Sequence, residues 1–234
     1  MVKVAIVSTS SSQWKGGVSG VWLEEMAAPY YVFKEAGFET QLVSVKGGEP
    51  PVDPGSRWEE GGFYTPEAKR FDEDAEAQAA FKSMPAVSTL NAADLDAIFL
   101  AGGHGPLIDF NDPALVKLVE EVYAQGKVVA SVCHGGVGLA YCKKPDGTPL
   151  LQGLGATVFS DAEESSEVMP EGNAQNVKDE LGWLCESKFR ELGAKYSKAD
   201  EAWMPHVVTC GNLITGQQMS SSEPAAQAIV KALK

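Results

Sequence analysis

The sequence predicts an α/β fold built on a mainly parallel central sheet. Short β-branched apolar runs at Val2–Ser8, Phe38–Val45, Asp96–Leu100 and Val128–Val132 read as buried strands. Segments of helical periodicity alternate with them, which is the pattern of strand–helix–strand crossovers. No internal repeat and no compositional break marks a linker, so residues 1–234 are expected to form one domain.

Val2–Ser8 reads as the first strand, and the Ser- and Gly-rich Thr9–Gly20 as a loop. Gly20–Ala36 sets Trp22, Met26, Tyr30 and Phe33 near helical spacing. Gly37 suits the C-cap, and Pro29 is expected to kink or restart the helix. After the strand Phe38–Val45, Lys46–Pro66 holds five Gly and four Pro without periodicity. It opens a surface excursion over 46–90 that is long enough to act as a lid or cap. Within it, Phe71–Lys82 is expected to be one acidic helix. The strand Asp96–Leu100 runs into Ala101-Gly102-Gly103-His104-Gly105. Asp112-Pro113 supplies an N-cap and first-turn proline for a helix closed by Gly126. Val128–Val132 ends at Cys133, and Gly135–Tyr141 can be helical. Farther on, the expectations are a strand at Thr157–Phe159, a short acidic helix capped by Asp161, and an amphipathic helix over Asn176–Leu192. A hairpin of Val207–Cys210 and Leu213–Thr215 follows around Gly211-Asn212, and Ser222 caps a final helix.

Charge narrows the function classes. Lys and Arg number 19 against 32 Asp and Glu, a net of -13, which repels phosphate backbones and anionic lipid. Nucleic-acid and membrane partners are therefore disfavoured. No apolar run approaches the ~20 residues of a membrane helix. Met1–Ser10 lacks the parts of an export signal, and the four cysteines show neither CxxC pairing nor metal-ligand spacing. Reduced thiols and a cytoplasmic location are expected. Neither GxxxxGK[ST] nor GxGxxG occurs, and no cofactor is expected.

The chemistry concentrates at Val128-Val129-Ala130-Ser131-Val132-Cys133-His134-Gly135-Gly136. A buried strand meets a polar nucleophile with small residues two before, Ser131, and two after, Gly135. This is a nucleophile elbow with Cys in place of Ser. The next N–H, that of His134, can point at a developing oxyanion, and a helix N-terminus behind the sulfur favours thiolate. Cys142, Cys185 and Cys210 lack such surroundings and read as structural.

Ser131-Val132-Cys133-His134-Gly135-Gly136 resembles the elbow of the ThiJ/PfpI superfamily. Three further segments narrow the resemblance to its glutathione-independent glyoxalase branch (glyoxalase III, D-lactate dehydratase), which includes heat-shock chaperones. They are Gly20-Val21-Trp22-Leu23-Glu24-Glu25 with Pro29, Ala101–Gly105, and Phe159-Ser160-Asp161-Ala162-Glu163-Glu164. The resemblance implies a flavodoxin-like three-layer sandwich, a homodimer, and glutathione-independent conversion of methylglyoxal, the 2-oxoaldehyde concerned, to D-lactate. It makes Cys133 the nucleophile, His134 the acid/base, Glu164 the residue that orients this histidine, and Glu25 the acid beside the sulfur. Glu25 is preferred to Glu24 by its spacing of four to Pro29, and Glu164 to Glu163 by its spacing of five to Phe159. The N–H groups of His134 and Gly103 are the implied oxyanion donors. His104, in the same loop, either lines the pocket or holds the loop. Three scattered histidines suggest no metal site. The chain departs from the pattern at Gly216–Ser222, where related enzymes read Gly-x-Asn-Pro.

The chemistry fits these residue types. A thiolate adds to the aldehyde carbon, and an imidazole, whose ordinary pKa lies near working pH, moves the proton between the two carbons. Other readings remain at this stage. A class I glutamine amidotransferase would carry a late His-x-Glu, but Val208 stands two residues after His206. An intracellular cysteine peptidase or a protein deglycase shares the elbow. A non-enzymatic reading is a redox sensor at Cys133, or a holdase that takes misfolded clients on a patch around Trp14, Trp22, Trp58 and Trp203.

Overall fold

A computed structural model describes residues 1–166 and 173–234. Strand β1 (Lys3–Ser8) is buried on both faces. Val4 and Ile6 enter one apolar cluster, and Ala5 and Val7 the other. A strand without a polar face requires helices on both sides, which is the three-layer arrangement. The next residues contain a small hairpin, β2 (Gln13–Trp14) with β3 (Gly17–Val18), inside the stretch expected to be loop.

Helix α1 (Glu24–Glu35) continues through Pro29 without the restart that was one of the two expectations there. The proline removes one N–H, but Met26, Ala27, Tyr30 and Phe33 are buried around it and hold the helix against the sheet. The helix ends in a Schellman turn: Gly37, at φ +80°, donates to the Lys34 carbonyl, and Phe38 donates to that of Phe33. β4 (Glu39–Ser44) then pairs parallel with β1, Lys3 opposite Glu39.

The expected helix over Phe71–Lys82 is two helices, α2 (Pro66–Glu73) and α3 (Ala75–Lys82). Asp74 breaks them. Its backbone is extended and its carboxylate accepts from the N–H groups of Glu76 and Ala77, so it ends one helix and caps the next. Phe71 and Phe81 are still both buried, which is why the periodicity looked continuous.

β5 (Ala97–Leu100) precedes the short α4 (Pro106–Asp109) and α5 (Pro113–Ala124). Asp112 caps α5 through the N–H groups of Ala114 and Leu115. β6 (Val128–Val132) leads through a 3-10 turn, Cys133–Gly136, into α6 (Val137–Tyr141). The expected strand Thr157–Phe159 is absent. The pairing lies earlier, between β7 (Gly155–Ala156) and β8 (Lys195–Tyr196), while the Thr157 N–H donates to Thr215 Oγ1. Helix α7 (Asp161–Glu164) is capped by Ser160 rather than Asp161, in a capping box with Glu163. In place of one helix over Asn176–Leu192 there are α8 (Asn173–Leu181) and α9 (Cys185–Glu191), parted at Gly182 with φ +80°.

β9 (Val207–Cys210) and β10 (Leu213–Gly216) form the expected hairpin. In α10 (Ser222–Leu233) the N-cap is Ser221, and the Ser222 hydroxyl donates to the Met219 carbonyl instead. The six-stranded sheet has the order β4-β1-β5-β6-β10-β9, parallel except for β9. From β1 the chain crosses outward to β4 and then returns to β5 on the other side. The carboxyl ends of β1 and β5 therefore flank a topological switch point, where open α/β sheets leave a crevice.

The four tryptophans named as a surface patch do not form one. Trp22 is buried, Trp14 stacks on His104, Trp203 packs edge-on against Phe159, and of the four only Trp58 is exposed. Among the described residues, no helix is long and apolar enough to cross a membrane.

Candidate active site

β6 delivers Cys133 to the crevice in a left-handed backbone conformation, φ +55°. For a residue with a Cβ this costs on the order of 1–3 kcal/mol, held by the surrounding packing. The small residues of the elbow have a direct cause. A Cβ on Gly135 would lie 2.2 Å from the Leu100 carbonyl oxygen, so a side chain there would push the turn off β5. Cys133 and His134 are 4% and 1% exposed, so a reactant must be small or the pocket must open.

A line of contacts runs away from the sulfur. Cys133 Sγ lies 3.4 Å from His134 Nδ1, and His134 Nε2 lies 2.8 Å from Glu164 Oε2. A carboxylate only accepts, so Nε2 carries the proton and the Nδ1 lone pair faces the sulfur. The other oxygen of Glu164 accepts from Asn173 Nδ2 at the start of α8. Glu163 points elsewhere. Its Oε1 accepts from the Trp203 N–H at 2.9 Å and from Gln217 Nε2 at 2.8 Å, and its Oε2 accepts from Ser160. Glu163 thus fastens α7, and α7 aims Glu164 at His134. Gln217 belongs to the segment that departs from the Gly-x-Asn-Pro pattern, and it works as this anchor from behind.

Glu25 approaches from the opposite side. It is fully buried, and its Oε2 accepts from the Gly102 N–H at 2.7 Å. Burial raises its pKa to about 8, helped by the charges of Glu24 and Asp53 and opposed by hydrogen bonds from Cys133 and Gly102. Burial and the Glu25 charge push the Cys133 thiol up, while the N–H groups of His134 and Gly103 pull it down. Both shifts favour the protonated forms, so Glu25 is a carboxylic acid beside a thiol, where the elbow alone suggested a thiolate. Glu24 faces away, toward the Thr65 hydroxyl, and burial pushes it up to about 7.

Gly103 brings its N–H to this sulfur only because it lacks a side chain. Its φ is +93°, and a Cβ would lie 2.3 Å from the Gly20 carbonyl oxygen and 2.6 Å from the Trp22 nitrogen. Gly103→Ala is expected to cost about 2–3 kcal/mol, lowering Tm by roughly 4–10 °C in a thermal melt, and to reduce turnover with it.

His104 stands on the far side of His134, with ring centroids 4.9 Å apart. It is stacked on Trp14 at 4.1 Å, and its Nδ1 lies 3.6 Å from Asp53 Oδ2. Ser19 Oγ at 2.6 Å and the Gly55 N–H at 2.9 Å hold that carboxylate. Burial lowers the His104 pKa, with the hydrogen bond to Asp53 opposing. Sequence reasoning missed Asp53 and Asn173, assigned Trp14 to a surface patch, and marked Gln217 only as part of the departing segment Gly216–Ser222. Asp53 carried a signal of its own, as the Asp-Pro start of a short helical turn. The loop after β1, through Trp14, and the 46–90 excursion, through Asp53, thus both reach His104. His206 lies apart, with Nε2 2.9 Å from Ser197 Oγ. Cys142 and Cys185 are buried, and burial raises both thiols. Sequence spacing suggested no metal ligands, yet the fold gathers His104, His134 and Glu164 into one buried group.

The DJ-1/PfpI family model matches residues 18–232. The chain belongs to the DJ-1/PfpI family. It is 31% identical over 249 residues to Glyoxalase 3 of Candida albicans, covering 100% of this chain and 99% of that protein. It is 30% identical to the glutathione-independent glyoxalase hsp3101 of Schizosaccharomyces pombe, covering 91% and 87% of the two chains. The crystal structure of glyoxalase III from Candida albicans superposes with a TM-score of 0.79 at 29% identity, over 99% of this chain and 97% of that one. The DJ-1/PfpI architecture is the flavodoxin-like sandwich that the sequence implied.

Proposed function

We propose that this protein converts methylglyoxal and related 2-oxoaldehydes to the 2-hydroxy acid, D-lactate from methylglyoxal, without glutathione. The observation that carries the reading is the buried line Glu164–His134–Cys133 with Glu25 beside the sulfur. It occurs in a chain that aligns end to end with a protein named Glyoxalase 3.

Cys133 sulfur adds to the aldehyde carbon; its thiol proton passes to Glu25 as the proton of Glu25 goes to the aldehyde oxygen, giving a hemithioacetal. The N–H groups of His134 and Gly103 face the charge that develops on that oxygen. His134 Nδ1 then takes the proton from the same carbon, and the electron pair moves onto the ketone oxygen to form an enediolate. Glu164, fixed by Asn173, holds the ring and steadies its positive charge. Passage of the hydroxyl proton to the neighbouring oxygen and return of the first proton from His134 to the second carbon leave a thioester of lactate. Water cleaves the carbon–sulfur bond, which frees the acid and restores the thiol. The sum is substrate plus one water, so no redox cofactor is required.

Near-complete burial of Cys133 and His134 favours a three-carbon substrate over a peptide bond. His104 lines the pocket in this reading, and the 46–90 excursion serves as its cap through Asp53. The proposal includes one domain over residues 1–234, a homodimer and a cytoplasmic site of action. The test is incubation of reduced protein with methylglyoxal, glutathione absent, with D- and L-lactate measured separately. D-lactate is expected, and no lactate from folded protein overturns the reading.

A further inference from the structure

We propose that His104, His134 and Glu164 form a site for a divalent transition-metal ion of the Zn2+ class, and that occupancy withdraws the base from Cys133. One nitrogen from each histidine and one oxygen from Glu164 lie within 4.8 Å of one another, and all three residues are buried. The independent observation is His104 Nε2. His104 is 6% exposed, and this nitrogen has no hydrogen-bond partner among the described residues. A buried polar atom left alone costs about 1–3 kcal/mol and calls for an occupant.

The tautomer of His104 suits a metal. Its Nδ1 leans on Asp53, which Ser19 and Gly55 hold in place, so Nδ1 carries the proton and Nε2 keeps its lone pair. A carboxylate behind a histidine in this way orients and strengthens it as a ligand. Asn173 donates to the other oxygen of Glu164 and fixes its orientation. Two imidazoles and one carboxylate, with a fourth position open, match Zn2+ and match poorly the all-oxygen preference of Mg2+ or Ca2+.

The ion would act on the proton of His134. That proton now sits on Nε2, 2.8 Å from Glu164 Oε2. Ligands of a tetrahedral Zn2+ lie about 3.3 Å apart, so the contact opens by roughly half an ångström. Metal on Nε2 moves the proton to Nδ1, the nitrogen facing Cys133, where it can no longer accept one. The ion is therefore an inhibitor and not a cofactor. This second half rests on the proposed role of His134 as base, whereas the binding half does not.

The test uses full-length, reduced, chelator-treated protein without substrate, with Zn2+ followed by calorimetry and Co2+ by visible absorption. One ion per chain is expected. Asp53→Asn should weaken binding by about 10- to 100-fold, His104→Asn should weaken it further, and Cys133→Ser should retain it. No binding, unchanged affinity in His104→Asn, or loss of binding in Cys133→Ser overturns the site. If His104→Asn does not fold, anomalous scattering at the zinc edge from wild-type crystals decides: a peak between His104 Nε2 and Glu164 supports the site, and a peak elsewhere overturns it. In an activity arm, stoichiometric Zn2+ should abolish lactate formation and a chelator restore it. Bound Zn2+ with undiminished turnover overturns the displacement. Absence of lactate both with and without Zn2+ counts against the glyoxalase reading and leaves the spectroscopic result standing.

Discussion

Cys133→Ala is expected to lower kcat/KM for methylglyoxal by at least about 1,000-fold, because the covalent step then has no nucleophile. The fold should tolerate the change. Alanine keeps the Cβ already accommodated at φ +55°, and only the sulfur leaves a site otherwise closed by Glu25, His134 and Gly103. Glu164→Gln tests the other end of the line. An amide can present its NH2 to His134 Nε2, which moves the ring proton to Nδ1 and blocks the base. A fall of about 100- to 10,000-fold is expected. The combination is the more discriminating measurement. Residues that act as one unit are not additive, so Cys133→Ala/Glu164→Gln should be hardly slower than Cys133→Ala alone. Cys133→Ala retaining a tenth of wild-type turnover, with its melting curve unchanged, would remove the sulfur from the mechanism.

Local chemistry made the elbow legible. A β-branched strand, a cysteine and two small residues describe a turn whose sterics are set within a few positions. The Gly-rich loop after β5 was legible for the same reason. The choices of Glu25 and Glu164 came from the family resemblance, since acidic residues on short helices look alike. In the structure the adjacent glutamates face different ways: Glu25 to the Gly102 N–H and Glu24 to Thr65, Glu164 to His134 and Glu163 to Trp203 and Gln217. What escaped was non-local. Asp53 reaches His104 across 51 positions of chain from a Pro- and Gly-rich stretch without periodicity. Asn173 and Gln217 act one step behind the reacting groups; nothing local marks Asn173, and Gln217 stood out only as part of the departing segment Gly216–Ser222. Element boundaries failed where a side chain competes with the backbone. Asp74 and Ser160 cap helices that apolar periodicity alone would have drawn otherwise.

Glu25→Gln should stabilise the protein while disabling it. The carboxyl of Glu25 is ordinarily half-protonated near 4.5, and in the folded protein burial raises this to about 8. Between those values the folded chain binds more protons than the unfolded chain, so stability falls as pH rises and the full penalty is present above the folded pKa. Glutamine cannot ionise, yet it retains an oxygen for the Gly102 N–H. At pH 8 the variant is expected to gain about 2–4 kcal/mol, or roughly 5–10 °C in Tm. Below pH 4.5 the gain should vanish. Glu24 is displaced in the same direction, and His104, whose pKa is lowered, acts with the opposite sign. Both are present in each protein, so they largely cancel in the difference between the two pH–stability curves. Turnover should move the other way, falling by about 100-fold, because an amide cannot deliver the proton that the aldehyde oxygen takes. A site that sacrifices stability for chemistry behaves in this manner. Parallel pH–stability curves for the two proteins between pH 5 and 8 would show that Glu25 does not carry a displaced proton, and its role as the acid beside the sulfur would have to be abandoned.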